Sequence, residues 1–153
     1  MGRTVATNTD VDLEALLDFV RPRHHMIVTT WKSDGGVQSS PVAGGIDSVG
    51  RIVIATYPER AKTHNLRRVA KASVLVLSDD FGGAWAQIDC TGEVIDLPDA
   101  IEPLVEYFRS IAGEHPDWDD YRHAMVVQGK CLLRLTPTHW SPIATGGFPA
   151  RLA

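Results

Sequence analysis

Short segments in which apolar and polar residues alternate dominate this chain, and between them apolar residues recur at the spacing of helices. The alternating, β-rich segments predict six strands, which cover 25–31, 37–46, 51–57, 73–77, 84–97 and 130–136, the last extended by 138–144. The helical spacing predicts four helices, which begin at a Thr9 or Asp10 cap, after Pro58, at Asp99 and at Asp117.

Turn sequences at 33–36 and 47–50 separate the first three strands, which therefore form an antiparallel meander. Ser39, Ser40 and Pro41 are unusual inside a paired strand, so we expect an edge or a bulge there. Gly92 predicts a bend or bulge in the fifth strand. Because strands and helices occur without the Gly-x-Gly-x-x-Gly of dinucleotide-binding folds, we expect an α+β fold, mainly β, built as a six-stranded antiparallel barrel.

Composition limits the classes of function. The 153 residues suit one domain over 1–153, with 1–9 and 145–153 as loose termini. A formal charge of −4 argues against general nucleic-acid binding. The chain has no apolar run of membrane-spanning length and no apolar signal core, which predicts a cytoplasmic protein without a membrane span. Cys90 and Cys131 lie far apart in predicted strands, so we expect buried thiols and no metal site.

The basic segment 57–80 carries the clearest candidate chemistry. Pro58 ends a strand, and Arg60 and Lys62 follow where a helix begins. Free backbone N–H groups, a planar guanidinium and an ammonium at such a place can together hold a phosphate. The alternative is a solvated basic helix without a ligand.

Two segments of the chain, with the strand and turn order around them, resemble a known family. The segments are RAKTHNLRR, which starts at Arg60, and AGEHPDWDDYR, which covers 112–122. With the QSSPV strand at 38–42, they resemble the pyridoxamine 5′-phosphate oxidase-like split-barrel family. The resemblance is greatest to its actinobacterial branch, which uses the deazaflavin coenzyme F420. It spans roughly residues 11–140 and implies an FMN-binding type of split barrel.

The resemblance implies a role for several residues. Arg60 and Lys62 hold the cofactor phosphate, and the cofactor ring lies along Gln38, Ser39, Ser40, Pro41 and Val42. The backbone of Ala55 and Thr56 contacts the ring. Members are homodimers with both cofactor sites at the interface, so Trp85 would reach the cofactor of the partner chain. Some relatives have a polar residue where this chain has Pro41.

Other interpretations of the same residues stay open. Ser39 and Ser40 can serve as hydroxyls that satisfy a bulge, and Asn65 can bond to the helix backbone instead of a cofactor. Arg68 can meet an acidic tail on the cofactor or a surface carboxylate. Trp85 can be a core or interface aromatic residue. We assign no residue a catalytic role.

The resemblance implies an oxidoreductase that transfers a hydride from reduced coenzyme F420 to a small electron-poor organic substrate. No Ser or Cys nucleophile with a partnered base stands out, which fits hydride transfer. The alternatives are an FMN-binding flavoprotein and a non-catalytic cofactor or haem carrier. F420 differs from FMN by a lactyl-oligoglutamate extension, and we expect Arg67, Arg68 and Lys71 to supply spare positive charge for it.

Overall fold

The computed structural model describes residues 4–152, which form eight strands and four helices. The strands are β1 (Thr7–Thr9), β2 (His25–Trp31), β3 (Val37–Ile46), β4 (Ile52–Thr56), β5 (Lys71–Val76), β6 (Ala86–Ile95), β7 (Cys131–Trp140) and β8 (Ile143–Thr145). The helices are α1 (Leu13–Val20), α2 (Ala61–Arg68), α3 (Ile101–Ala112) and α4 (Trp118–Gln128), and a 3₁₀ turn covers Ala150–Leu152.

Six of these strands close into an antiparallel barrel in the order β2-β3-β4-β7-β6-β5. Alternate side chains point inwards, so Val74, Ile88 and Leu133 are fully buried in its core. Leu16 and Val20 of α1 belong to the same core. The predicted α+β fold with a six-stranded antiparallel barrel is confirmed.

The barrel is split between β3 and β4. All seven residues of β2 pair with β3, from His25 opposite Ala43 to Trp31 opposite Val37. β4 pairs with β3 only through Gly44, Gly45 and Ile46. The first seven residues of β3 therefore leave one edge without a strand, as predicted for the Ser39-Ser40-Pro41 segment, and α2 lies beside this gap and contacts both β2 and β3.

The hairpin of α3 and α4 covers the outer side of β4 and β7 and forms a second core around Val53, Leu104 and Leu132. Gly45 allows this close approach, because a Cβ at this position would collide with the Ser110 hydroxyl. The hairpin therefore reaches β3 next to the point where the barrel splits.

The ends of the chain differ from the sequence prediction. Thr7–Thr9 pairs with Ile143–Thr145 as a two-stranded sheet, so the inner parts of the predicted loose termini are ordered. Residues 1–3 and 153 lie outside the described residues. The caps predicted at Thr9 or Asp10 are wrong, since Asp12 caps α1 by accepting a hydrogen bond from the Ala15 N–H. No described helix is both long and apolar enough to cross a membrane.

Two further local predictions need correction, and one is confirmed. α3 starts after Ala100 without a side-chain cap, so the capping box expected at Asp99 does not form. The register shifts between Asp89 and Cys90, because the opposing strand β7 carries an extra residue, Thr138, at this point; Gly92 pairs regularly with Leu135. A Cβ on Gly92 would collide with side chains of the core, so this glycine serves packing. Asp117 caps α4 as predicted.

Candidate functional site

The start of α2 presents unoccupied backbone donors. Pro58 follows β4, and Arg60 precedes the helix with extended backbone and no side-chain cap. The Thr63 and His64 N–H groups donate to the Arg60 carbonyl oxygen, at 3.0 and 3.2 Å. The N–H groups of Ala61 and Lys62 donate to no acceptor among the described residues. They point out of the positive end of the helix, where an anion is favoured.

Three cationic side chains gather around this helix start. The Arg60 guanidinium carbon lies 5.5 Å from the centroid of the Tyr57 ring, and the Lys130 Nζ lies 4.2 Å from it. Lys62 is close enough to feel the charge of both. Within the described part of the chain, none of the three cations forms an ion pair. We call Arg60, Lys62 and Lys130 the cation cluster.

The electrostatics of the cation cluster favour an anion. Partial burial, and after it repulsion from Arg60 and then Lys130, lowers the pKa of Lys62 below its ordinary value. Bringing like charges together is unfavourable unless a negative group lies among them. A bound phosphate would offset this repulsion and restore the pKa of Lys62.

β3 supplies polar atoms beside the gap. Gln38 Oε1 and Ser40 Oγ are buried and have no hydrogen-bond partner among the described residues. The Ser39 hydroxyl instead bonds to the Thr29 hydroxyl at 2.6 Å. Buried polar atoms without a partner are rare, so the first two atoms call for a ligand or water.

On the outer face of the barrel, Pro41 and Val42 line a cavity of about 300 Å³. Its wall is mainly apolar and is completed by His25, Met26, Ile27, Ala43 and Leu77. His25 is exposed, and its Nδ1 lies 3.6 Å from the Asp79 carboxylate. The cavity can take a flat apolar group against the strand that the sequence assigns to the cofactor ring.

Tyr107 of α3 closes the point where β3 and β4 separate. Its hydroxyl donates to the Ala43 carbonyl oxygen at 2.8 Å. Burial raises the pKa of Tyr107, and a hydrogen bond with the backbone of Ala55 partly offsets this. The backbone of Ala55, expected to contact the ring, therefore lies close enough to Tyr107 to affect its pKa. Thr56 follows it, is buried and pairs with Cys131.

The C-terminal half of α2 is more occupied than the sequence suggests. The Asn65 amide donates to the Thr30 hydroxyl at 3.1 Å, so Asn65 bonds to a side chain and not to the helix backbone. Arg68 donates to the Trp31 carbonyl oxygen and to Asn65, not to a surface carboxylate. Arg67 forms a two-fold ion pair with Asp96, at 2.7 and 2.9 Å. Arg67 is therefore already paired and is not spare charge. Lys71 lies over the Trp31 ring and has no ion-pair partner within residues 4–152.

Trp85 lies apart from the other candidate residues. It precedes β6 and bonds through its backbone to Ala144. The start of β6 pairs with the end of β5, whereas α2 follows the end of β4 at the opposite end of the barrel. One chain therefore does not bring Trp85 to the cation cluster, and its contact with a partner's cofactor stays a prediction.

The sequence analysis missed Lys130, Tyr57 and Tyr107 as members of this region. Lys130 had been placed only as the first residue of the last core strand. It follows Gly129, which ends α4 with a positive φ of 67°. The sequence signal that could have identified Lys130 was a lysine placed between the glycine that ends a helix and the start of a strand.

Residues 4–152 offer neither a cluster of metal ligands nor a reactive thiol. No group of three or more His, Cys, Asp or Glu side chains there could hold a metal ion. Burial raises the pKa of the Cys90 thiol to about 12, so it stays protonated and unreactive at neutral pH. Burial also raises the pKa of Cys131.

Solved structures share this fold at low sequence identity. A conserved hypothetical protein, Rv2991 from Mycobacterium tuberculosis, matches with a TM-score of 0.73 and 17% identity over 94% of this chain and 90% of that one. Atu2129 from Agrobacterium tumefaciens, of unknown function, matches at 0.68 and 12% over 91% and 58%. An F420 reductase matches at 0.62 and 16% over 87% and 98%.

The sequence itself matches a family model. The model describes pyridoxamine 5′-phosphate oxidase and matches residues 13–144 of this chain, which include every strand of the barrel. The family includes oxidoreductases and proteins that bind flavins. This chain therefore belongs to the pyridoxamine 5′-phosphate oxidase family.

Proposed function

We propose that this protein is an oxidoreductase that uses reduced coenzyme F420 to reduce a small electron-poor organic substrate. The observation that carries the proposal is the cation cluster: Arg60 and Lys62 lie at a helix start beside the open edge of β3 and have no counter-ion among the described residues. This arrangement fits a ligand that joins a phosphate to a flat ring.

The residues present fit such a cofactor. The five residues from Gln38 to Val42 extend over about 13 Å of strand, enough to lie along a tricyclic ring. Gln38 Oε1 and Ser40 Oγ, on the face of β3 opposite Pro41, lack partners that polar atoms of a ligand in the gap would supply. Arg60 and Lys62 would hold the phosphate, and the apolar cavity beside Pro41 would exclude water.

The reduced deazaflavin, when bound, supplies the hydride. The protein positions the substrate against the ring and keeps the two in contact. The substrate would occupy the apolar cavity beside Pro41 and Val42. A small, flat, electron-poor molecule suits the volume of this cavity.

We also propose a homodimer. α3 and α4 cover the outer side of β4 and β7, but Ile27, Pro41 and Leu77 on the opposite outer face remain partly exposed. A second copy that packs on this face would bury them and would bring its own Trp85 towards the β3 strand of the first copy. The test is sedimentation at micromolar concentration, where a stable folded monomer would contradict the dimer.

FMN is the second candidate cofactor, because it carries a similar ring and a phosphate. The ion pair between Arg67 and Asp96 favours this alternative, since it removes one of the cations expected to bind the F420 extension. Lys71 keeps an exposed charge near the same helix. The F420 proposal rests on the sequence resemblance and on the fold shared with an F420 reductase.

Variants of the phosphate site test the proposal. Arg60→Ala and Lys62→Ala should each weaken cofactor binding by about 1.5–3 kcal/mol, the size of a charge-assisted contact, without loss of folding. Purified wild-type protein with reduced F420 should reduce a panel of nitro- and enone-containing acceptors. Unchanged affinity in both folded variants would refute the phosphate site, and binding without any turnover would favour a carrier.

A further inference from the structure

We infer that Lys130 is a third anchor for the cofactor phosphate, delivered to the site by the end of α4. This inference rests on the proposed function, because it concerns the same anion site. It assigns a binding role to a residue that lies 68 positions from Lys62 in the sequence.

The register of the barrel places Lys130 in the site. Thr56 at the end of β4 pairs with Cys131 at the start of β7, so the next residues, Tyr57 and Lys130, also lie opposite each other. The Lys130 N–H donates to the Met125 carbonyl oxygen, which fixes its backbone to the last turn of α4. Its position therefore depends on two packed elements and not on a free loop.

The side chain of Lys130 points into the cation cluster. Its Nζ lies 4.2 Å from the centroid of the Tyr57 ring, which also carries Arg60 at 5.5 Å. Lys130 is partly buried as a residue, and its positive charge contributes to the repulsion that Lys62 experiences. An aromatic face offers only weak compensation for a partly buried cation.

Most arginines elsewhere in the described chain pair with a carboxylate: Arg21, Arg51, Arg67, Arg109, Arg122 and Arg134. Arg23 and Arg68 instead donate to carbonyl oxygens and side-chain oxygens, and Lys71 lies over the Trp31 ring. In a chain of net charge −4, carboxylates are plentiful, yet among residues 4–152 none forms an ion pair within 4.0 Å of a cation of the cluster. Glu59 follows Pro58 and forms no ion pair with the cluster. Two cations on one ring, with Lys62 close enough to feel the charge of both, suit a multiply charged oxyanion.

The competing interpretation is that Lys130 only packs on Tyr57. Under that interpretation Arg60 and Lys62 hold the phosphate alone, and Lys130→Met, which keeps a long apolar stem over the ring, changes nothing. The two interpretations also differ in ligand dependence. A phosphate anchor matters only for ligands that carry the phosphate.

The experiment measures the affinity of wild type, Lys130→Met and Lys130→Gln for two pairs of ligands by anaerobic titration. One pair is F420 and the phosphate-free deazaflavin, and the other is FMN and riboflavin. We expect Lys130→Met to weaken the phosphorylated ligands about tenfold or more and the phosphate-free ligands less than twofold. Arg21→Ala also removes one positive charge, but Arg21 ends α1 and pairs with Asp18, outside the cation cluster, so this variant should leave all affinities unchanged.

A second readout is the response to salt and pH. Loss of one phosphate contact should make F420 affinity fall less steeply as the salt concentration rises. Wild-type affinity should fall as pH rises through the Lys62 pKa, which partial burial lowers most and the charges of Arg60 and Lys130 lower further. Removing the Lys130 charge raises that pKa, so the fall should begin at a higher pH in Lys130→Met.

The outcomes separate the two claims. Unchanged F420 and FMN affinity in Lys130→Met, together with weakened binding in Arg60→Ala and Lys62→Ala, overturns this inference and leaves the proposed function intact. Unchanged affinity in all three variants refutes the phosphate site itself. Equal weakening of phosphorylated and phosphate-free ligands means that Lys130 acts through packing, which also overturns the inference. Circular dichroism and melting curves identify any variant that fails to fold, and Lys130→Gln then replaces Lys130→Met.

Discussion

Replacing Tyr107 by phenylalanine should loosen the split of the barrel and weaken cofactor binding. The hydroxyl donates to the Ala43 carbonyl oxygen at 2.8 Å and lies near enough to the Ala55 backbone for this backbone to affect its pKa, so it bridges β3 and β4 where their own pairing ends. Ala43 immediately follows the strand proposed to carry the cofactor ring. The substitution removes the bridge and leaves a polar backbone group without its partner.

The structure sets the expected size of this effect. Tyr107 is 9% exposed, so water replaces the lost hydroxyl poorly. We expect the free energy of unfolding to fall by about 1–3 kcal/mol, the range for a buried group left unsatisfied. Because the bridge positions the ring strand, we also expect F420 affinity to fall about two- to tenfold, which corresponds to one net hydrogen bond.

Tyr121→Phe is the matched control. Tyr121 is 7% exposed and donates to the Leu104 carbonyl oxygen at 2.9 Å, but this bond joins α4 to α3 and does not touch β3. Urea unfolding should show similar losses of stability in both variants, whereas anaerobic titration should show weaker binding only in Tyr107→Phe. Equal cofactor affinity in the two variants would refute the coupling of this bridge to the site.

Three further predictions concern packing, pH and the cation cluster. Gly45→Ala should lower stability by about 1–3 kcal/mol because its methyl group meets the Ser110 hydroxyl, and Ser110→Gly in the same chain should recover part of this loss in urea unfolding. The hydrogen bond from Arg67 lowers the pKa of Asp96, so the stability that this half-exposed pair contributes should be lost as pH falls through the folded-state pKa of Asp96. Thermal unfolding at several acidic pH values should show a loss of about 1 kcal/mol or less in wild type. The same loss should be absent in Arg67→Ala. Inorganic phosphate should raise the pKa of Lys62, because it would offset the repulsion from the neighbouring cations. NMR titration of the lysine ammonium with and without phosphate measures this change, and an unchanged pKa would contradict the prediction.

The barrel was predictable because its strands alternate and its turns are marked by glycine and aspartate. β2 and β3 have the bounds expected from the sequence, and Ser39, Ser40 and Pro41 lie on an open edge. Local patterns suffice for such features, since the two-residue period and the turn residues are encoded within each segment.

The residues that the sequence analysis missed depend on contacts between distant segments. Lys130 reaches Tyr57 through the pairing of β4 with β7, and Tyr107 reaches Ala43 because α3 packs on β3. The same reason explains the wrong expectation for Arg67, whose partner Asp96 lies 29 residues away. No local period predicts such pairs.

The termini show a related limit. Thr7–Thr9 is polar and short, and it becomes a strand only because Ile143–Thr145 lies beside it. The register between β6 and β7 shifts at Asp89 and Cys90, where the opposing strand skips from His139 to Pro137. The strand at the N-terminus and the register shift at Asp89 and Cys90 therefore both depend on the partner strand. A glycine in the sequence was not sufficient to predict a bulge at Gly92.

The most direct test of the central claim is a parallel anaerobic titration of the purified wild-type protein with F420 and with FMN at low ionic strength. We predict tighter binding of F420, with a difference that narrows as salt rises, because its anionic extension gains from the charge around α2. Equal or tighter binding of FMN, or protein that is yellow with FMN when purified, would contradict the assignment to F420.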